Sequence, residues 1–150
     1  MDIENKINES IKDSMKSKDA IRLESLRAIK SAILLEKTKT GAKDQVEDEI
    51  ILKILQKMVK QRNDSAKIYI EQEREELAGI EISQAKIISE FLPEQLSKSE
   101  LSEIIDSVIK DLKAESMKDM GKVISNVNIK VSGKAEGRVI AEMIKNKLMN

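Results

Sequence analysis

Apolar residues recur three or four apart along almost the whole chain, and a single proline, Pro93, interrupts them. That spacing is the period of one face of an α-helix, whereas a half-buried strand alternates in twos. Ile3, Ile7, Ile11 and Met15 mark a first helix. Asp19 is placed to cap a second by accepting a backbone N–H, with Leu23, Leu26, Ile29, Ile33 and Leu34 inward and an end near Lys37. A polar, glycine-containing loop is expected over Thr38–Asp44. A long helix follows from about Val46 to about Leu77, its stripe running through Ile51, Leu55, Met58 and Val59 and then thinning toward Ala66 and Ile70. Gly79 is expected to break or bend the chain, and Ile82, Ala85, Ile88 and Phe91 to form a short fourth helix.

Proline pushes its predecessor out of helical geometry, so Leu92-Pro93 is the natural boundary. Beyond it, Ser97-Lys98-Ser99-Glu100 and Ser116-Met117-Lys118-Asp119 both have the serine-to-acid spacing of a capping box. Each opens an apolar stripe: Leu101, Ile105 and Val108 in the first, Val123 and Val127 in the second. A basic, glycine-bearing loop from Lys130 to Arg138 leads to a last helix with Val139, Ile140, Met143, Ile144 and Leu148 inward. Only Val127-Asn128-Ile129-Lys130-Val131 alternates like a strand, and with no segment to pair with it reads as a helix end and loop. The predicted fold class is all-α, with an N-terminal helical-hairpin domain over 1–92 and a small three-helix bundle over 93–150.

Composition narrows the chemistry. The 150 residues hold no cysteine and no histidine, which removes disulfides, thiolate nucleophiles and the commonest general base and metal ligand. With one Tyr, one Phe and no Trp, the core has to be aliphatic. No apolar run approaches the roughly 18 residues of a membrane span. The opening Met1-Asp2-Ile3-Glu4 lacks the apolar stretch of a signal peptide, so a cytoplasmic protein is expected. The acidic runs Glu47-Asp48-Glu49 and Glu71 to Glu76 read as helix surfaces, so no metal and no cofactor is expected. Ser65 beside Lys60 or Lys67, and Ser132 beside Lys134, are accidental neighbours unless a lysine is buried.

The neutral total conceals a bias. Residues 118–150 carry seven basic and three acidic side chains, net +4. Lys122, Lys130, Lys134 and Arg138 are candidates for phosphate contact, with Gly133 and Gly137 allowing close backbone approach at a helix start that favours anions. The opposing reading is a solvated surface, with Gly133 a turn glycine and Gly137 a packing glycine. On the long helix, Gln61, Arg62, Ser65, Tyr69 and Arg74 read either as an interaction face or as internal hydrogen-bonding groups.

Asp119-Met120-Gly121-Lys122-Val123 followed by Gly133-Lys134-Ala135-Glu136-Gly137 resembles the C-terminal signature of the YqeY family, and is similar to the tail domain of the GatB subunit of tRNA-dependent amidotransferases. Leu26-Arg27-Ala28-Ile29-Lys30, the run Ile54–Ser65 with Tyr69, and Phe91–Ser97 resemble other family segments in order and spacing. Glu73-Arg74 departs from the family pattern, which has glycine before the arginine, and Ser125 stands where glycine is common. The resemblance implies a helical accessory protein whose partners are tRNA and an amidotransferase or other translation-associated protein, with no membrane and no DNA. It also brings an association with carbon–nitrogen ligase activity using glutamine as amide donor, for which no residue here supplies a catalytic constellation.

Overall fold

A computed structural model describes residues 2–41 and 46–149. The described residues form helices joined by turns and short connections, with no strand among them, and the all-α class holds. The chain divides into two compact units, Met1–Leu92 and Pro93–Asn150.

The first unit contains α1 (Ile3–Ser17), α2 (Ala20–Thr40), α3 (Asp48–Glu71) and α4 (Glu75–Ser89). Asp2 caps α1 through a 2.7 Å bond from the Asn5 N–H. Lys18 turns left-handed to end α1, and Asp19 caps α2 by accepting from the Arg22 N–H at 3.1 Å. Ile7, Leu26, Ile29, Ile51, Leu55 and Ile88 meet in an aliphatic core, each contributing about 1.5–3 kcal/mol by leaving water. Lys37 pairs with Glu4 at 2.6 Å across α2 and α1, and Arg22 with Glu90 at 2.7 Å.

Several boundaries differ from those predicted. Of the loop expected over Thr38–Asp44, Thr38–Thr40 continue α2 and Gly41 ends it in the left-handed region, φ 72°; Ala42, Lys43 and Asp44 lie outside the described residues. The long helix stops at Glu71, not near Leu77, because Glu73 adopts a left-handed conformation (φ 60°) and the Arg74 N–H reaches back to the Tyr69 carbonyl at 2.7 Å. Gly79 does not break the chain; it lies inside α4, where a Cβ would meet no neighbour. Periodicity carries no stop signal here, since the turn lacks both glycine and proline. Leu34, Ile70 and Ile82, predicted to face inward, stand exposed, as does Met15 at the end of the first stripe.

The second unit contains α5 (Lys98–Leu112), a short 3₁₀ helix (Met117–Asp119), α6 (Met120–Val131) and α7 (Gly137–Met149). Both capping boxes form, with Ser97 and Glu100 reciprocally bonded at the start of α5 and Ser116 and Asp119 at the 3₁₀ helix. Leu101, Ile105, Val123, Val127, Ile140 and Ile144 fill the core. The alternating Val127–Val131 segment is α-helix: Val127 and Val131, four apart, are buried on one face while Ile129 is exposed. Asp119 is held below the usual carboxylate range, first by the Glu115 N–H, then by the Ser116 N–H and the charges of Lys122 and Lys118, against some opposing desolvation.

Two measurements check this description. Gly79→Ala is expected to stabilise the protein by about 0.5–1 kcal/mol, since a helical Cβ there meets open space, whereas Gly41→Ala costs about 1 kcal/mol from its left-handed backbone; urea titration separates the signs. Asp119 binds a proton less readily folded than unfolded, so its stabilisation is present above the unfolded carboxylate pKa and lost as pH falls through the lower folded value. Asp119→Asn therefore destabilises at neutral pH, and the gap from wild type narrows as denaturation is followed to acid pH.

Candidate nucleic-acid interface

The residues predicted to meet phosphate sort into two places. Lys130 sits in the last turn of α6, Lys134 in the connection to α7 and Arg138 in the first turn of α7, so all three belong to one helix–loop–helix end. Lys122 lies in the first turn of α6, about 12 Å from Lys130 along the axis at roughly 1.5 Å per residue, beside Asp119. All four are exposed, and none makes an ion pair among the described residues. Lys147, by contrast, is half-buried and bonded to Asp106 at 2.8 Å, which takes it out of the surface charge.

The connection is shaped by two successive left-handed residues, Ser132 (φ 39°) and Gly133 (φ 83°). Gly133 is thus a turn glycine, needed because a side chain at that φ is strained. Gly137 is not a packing glycine: it opens α7 with nothing within 4 Å of a would-be Cβ. Its bareness leaves the first N–H groups of α7, which have no partner within the helix, close to solvent.

A feature that periodicity could not reveal is the strap formed by Pro93–Leu96. The Leu96 N–H donates to the Lys134 carbonyl at 2.8 Å, and Gln95 Nε2 donates to the Gly133 carbonyl at 3.1 Å and to that of Pro93 at 2.9 Å. The loop's carbonyls are thereby engaged by the chain itself. The capping-box pattern located Ser97, but the value of the preceding Gln95 needed the fold. Lys130 also borders a groove of about 350 Å³ with Leu96, Glu100, Glu103, Ile104 and Ser107, so two carboxylates temper the potential on that flank.

The second candidate face is only partly a face. Arg62, Ser65 and Tyr69 share one side of α3 and are half-buried, with Arg62 Nε bonded to Gln84 Oε1 at 3.1 Å and Nη1 to the Met58 carbonyl at 3.3 Å. Arg62 is thus a tie between α3 and α4. Gln61 is exposed beside it, and Arg74, beyond the turn, stands apart from this side. The lysines near the candidate serines are all surface groups: Lys60 pairs with Asp64 at 2.6 Å, and Lys67 and Lys134 are exposed. Among the described residues no group of three or more acids is arranged to hold a metal ion, and no helix is long and apolar enough to cross a membrane.

Three similar proteins share one name. The chain is 31% identical over 122 residues to "Altered inheritance of mitochondria protein 41, mitochondrial" of Clavispora lusitaniae, covering 79% of this chain and 69% of that protein. The protein of the same name from Vanderwaltozyma polyspora is 28% identical over 151 residues, covering 96% and 80%. That from Pyrenophora tritici-repentis is 26% identical over 132 residues, covering 87% and 71%. These names overturn the cytoplasmic expectation, which rested on lacking apolar segments, a property that says what a chain does not insert into and not which compartment holds it. A family model described as Yqey-like protein matches residues 4–148, and the chain belongs to the YqeY family.

Proposed function

We propose that this YqeY-family chain is an accessory module that performs no reaction of its own and contacts the sugar–phosphate backbone of tRNA through the α6–α7 end of its second unit. The observation that carries this reading is the gathering of Lys130, Lys134 and Arg138 around one connection, exposed and without ion pairs among the described residues. Lysine and arginine at such spacing displace counterions from a phosphate chain, and the start of α7 adds partial positive charge from its N–H groups. The strap from Gln95 and Leu96 holds the loop before any ligand arrives, which lowers the ordering cost of binding. Lys122 is a further contact, set back along α6. Likeness to the GatB tail domain supplies the class of RNA, and an amidotransferase or another translation-associated protein is the fitting companion. The exposed lysines support binding over turnover, because activating a serine calls for a desolvated, neutral amine.

Filter binding to total tRNA tests the proposal. Binding is expected at roughly 50 mM salt, with a log–log salt slope of about 0.7–0.9 for each phosphate contact. Lys134→Glu with Arg138→Glu is expected to remove about two contacts from that slope and weaken binding at least about tenfold. An affinity and slope untouched by the double reversal, or no binding at low salt, would exclude the interface.

A further inference from the structure

The distal half of the α3–α4 pair inverts the usual order of a helical interface. Between them the two helices bury small residues, Ala66, Ala78 and Ala85, while Ile68, Ile70, Leu77 and Ile80 stay 53%, 55%, 37% and 48% exposed. These alanines belong to neither aliphatic core, so this half is an arm held by close approach of two helices. Ile80 continues a line that is already in use. Ile87, seven residues further along the same side of α4, packs against the core of the first unit, and Ile80 extends that stripe past the region where anything covers it.

The charge at the tip is as one-sided as the apolar surface. Glu71, Glu73, Glu75 and Glu76 surround a single base, Arg74. Glu75 and Glu76 occupy the first turn of α4, where the helix dipole welcomes acids. Glu71 ends α3, where the dipole opposes them, and no base stands in that last turn. Glu73 holds a left-handed backbone that glycine would adopt without strain. Local folding thus explains neither Glu71 and Glu73 nor the exposed aliphatics. Glu73, Arg74, Glu75, Glu76 and Leu77 line a shallow depression of about 430 Å³. A lysine or arginine entering it can lay its methylenes on Leu77 and its charge among the carboxylates.

We infer that the tip of the α3–α4 arm, built from Ile70, Leu77 and Ile80 rimmed by Glu71, Glu73, Glu75 and Glu76, is a docking surface for a basic amphipathic helix of a protein partner. Charge selects that occupant: a nucleic acid or an anionic lipid surface is repelled by four carboxylates, whereas a helix with leucines on one side and lysines along its flanks satisfies both features together. The surface lies in the first unit and is independent of the tRNA reading.

Fluorescence anisotropy on the full chain, without RNA, tests it. The probe is a short labelled peptide with leucines at helical spacing and flanking lysines, set beside its glutamate-for-lysine counterpart and vesicles of phosphatidylcholine with and without phosphatidylglycerol. The lysine peptide is expected to bind in the micromolar range, and the counterpart and both vesicles to fail. Glu71→Lys with Glu73→Lys is expected to weaken binding at least about tenfold, with a melting temperature no lower than wild type because a base at the end of α3 suits the dipole. Ile80→Ser, exposed and harmless to the core, should cost a similar factor. Equal binding of the glutamate peptide, vesicle binding instead, absence of peptide binding, or indifference to both variants overturns the inference. So does self-association that Ile80→Ser abolishes, which would make the occupant a second copy of this chain.

Discussion

An aliphatic stripe on a helix can leave water only against another helix when the chain has neither a sheet nor aromatic plates to cover it, and that constraint organises both units. In the first, α1, α2, the opening half of α3 and the closing half of α4 close around Leu26, Ile29, Ile51, Leu55 and Ile88. In the second, α5, α6 and α7 close around Ile105, Val127, Ile140 and Ile144. Isoleucine, leucine and valine make up most of both cores, which therefore depend on branched side chains interlocking at close range. Where the chain runs out of branched residues that face inward, between Ala66 and Ala85, the helices still pair, and their larger side chains turn outward.

Charge follows a different rule, because a solvated ion needs no partner and its position is free to serve binding. Three pairs tie elements together: Lys37 with Glu4, Arg22 with Glu90 and Lys147 with Asp106. Bases gather at the α6–α7 connection, and acids at the turn between α3 and α4. Hydrogen bonds from Leu96 and Gln95 to the carbonyls of Lys134 and Gly133 fix the basic loop from within the second unit.

Much of the architecture was legible in the residues. The Ser97 and Ser116 boxes, the Asp19 cap and the spacing of Leu101, Ile105 and Val108 located their elements, because caps and stripes are local chemistry. The turn at Gln72–Arg74 was not legible, since glutamate at a left-handed position has no propensity signature and the decoy at Gly79 does. Ile70 and Ile82 were misread as inward for a related reason: periodicity gives a side of a helix and is silent on whether a neighbour reaches it. Of the basic site, the residue types were visible in sequence; that Lys130, Lys134 and Arg138 share one end while Lys122 stands back was not.

The sequence by itself determined that the chain is helical, that its cores are aliphatic, that it lacks cysteine and histidine chemistry, and that its basic charge concentrates in the last third. These follow from local spacing and composition, which act before any long-range contact forms. The tertiary structure alone decided which aliphatic faces are covered and which are left on the arm, which bases are consumed by internal ion pairs, and that the Pro93–Leu96 segment clamps the basic loop. Those outcomes depend on contacts between residues distant in sequence, whose energies no local pattern encodes.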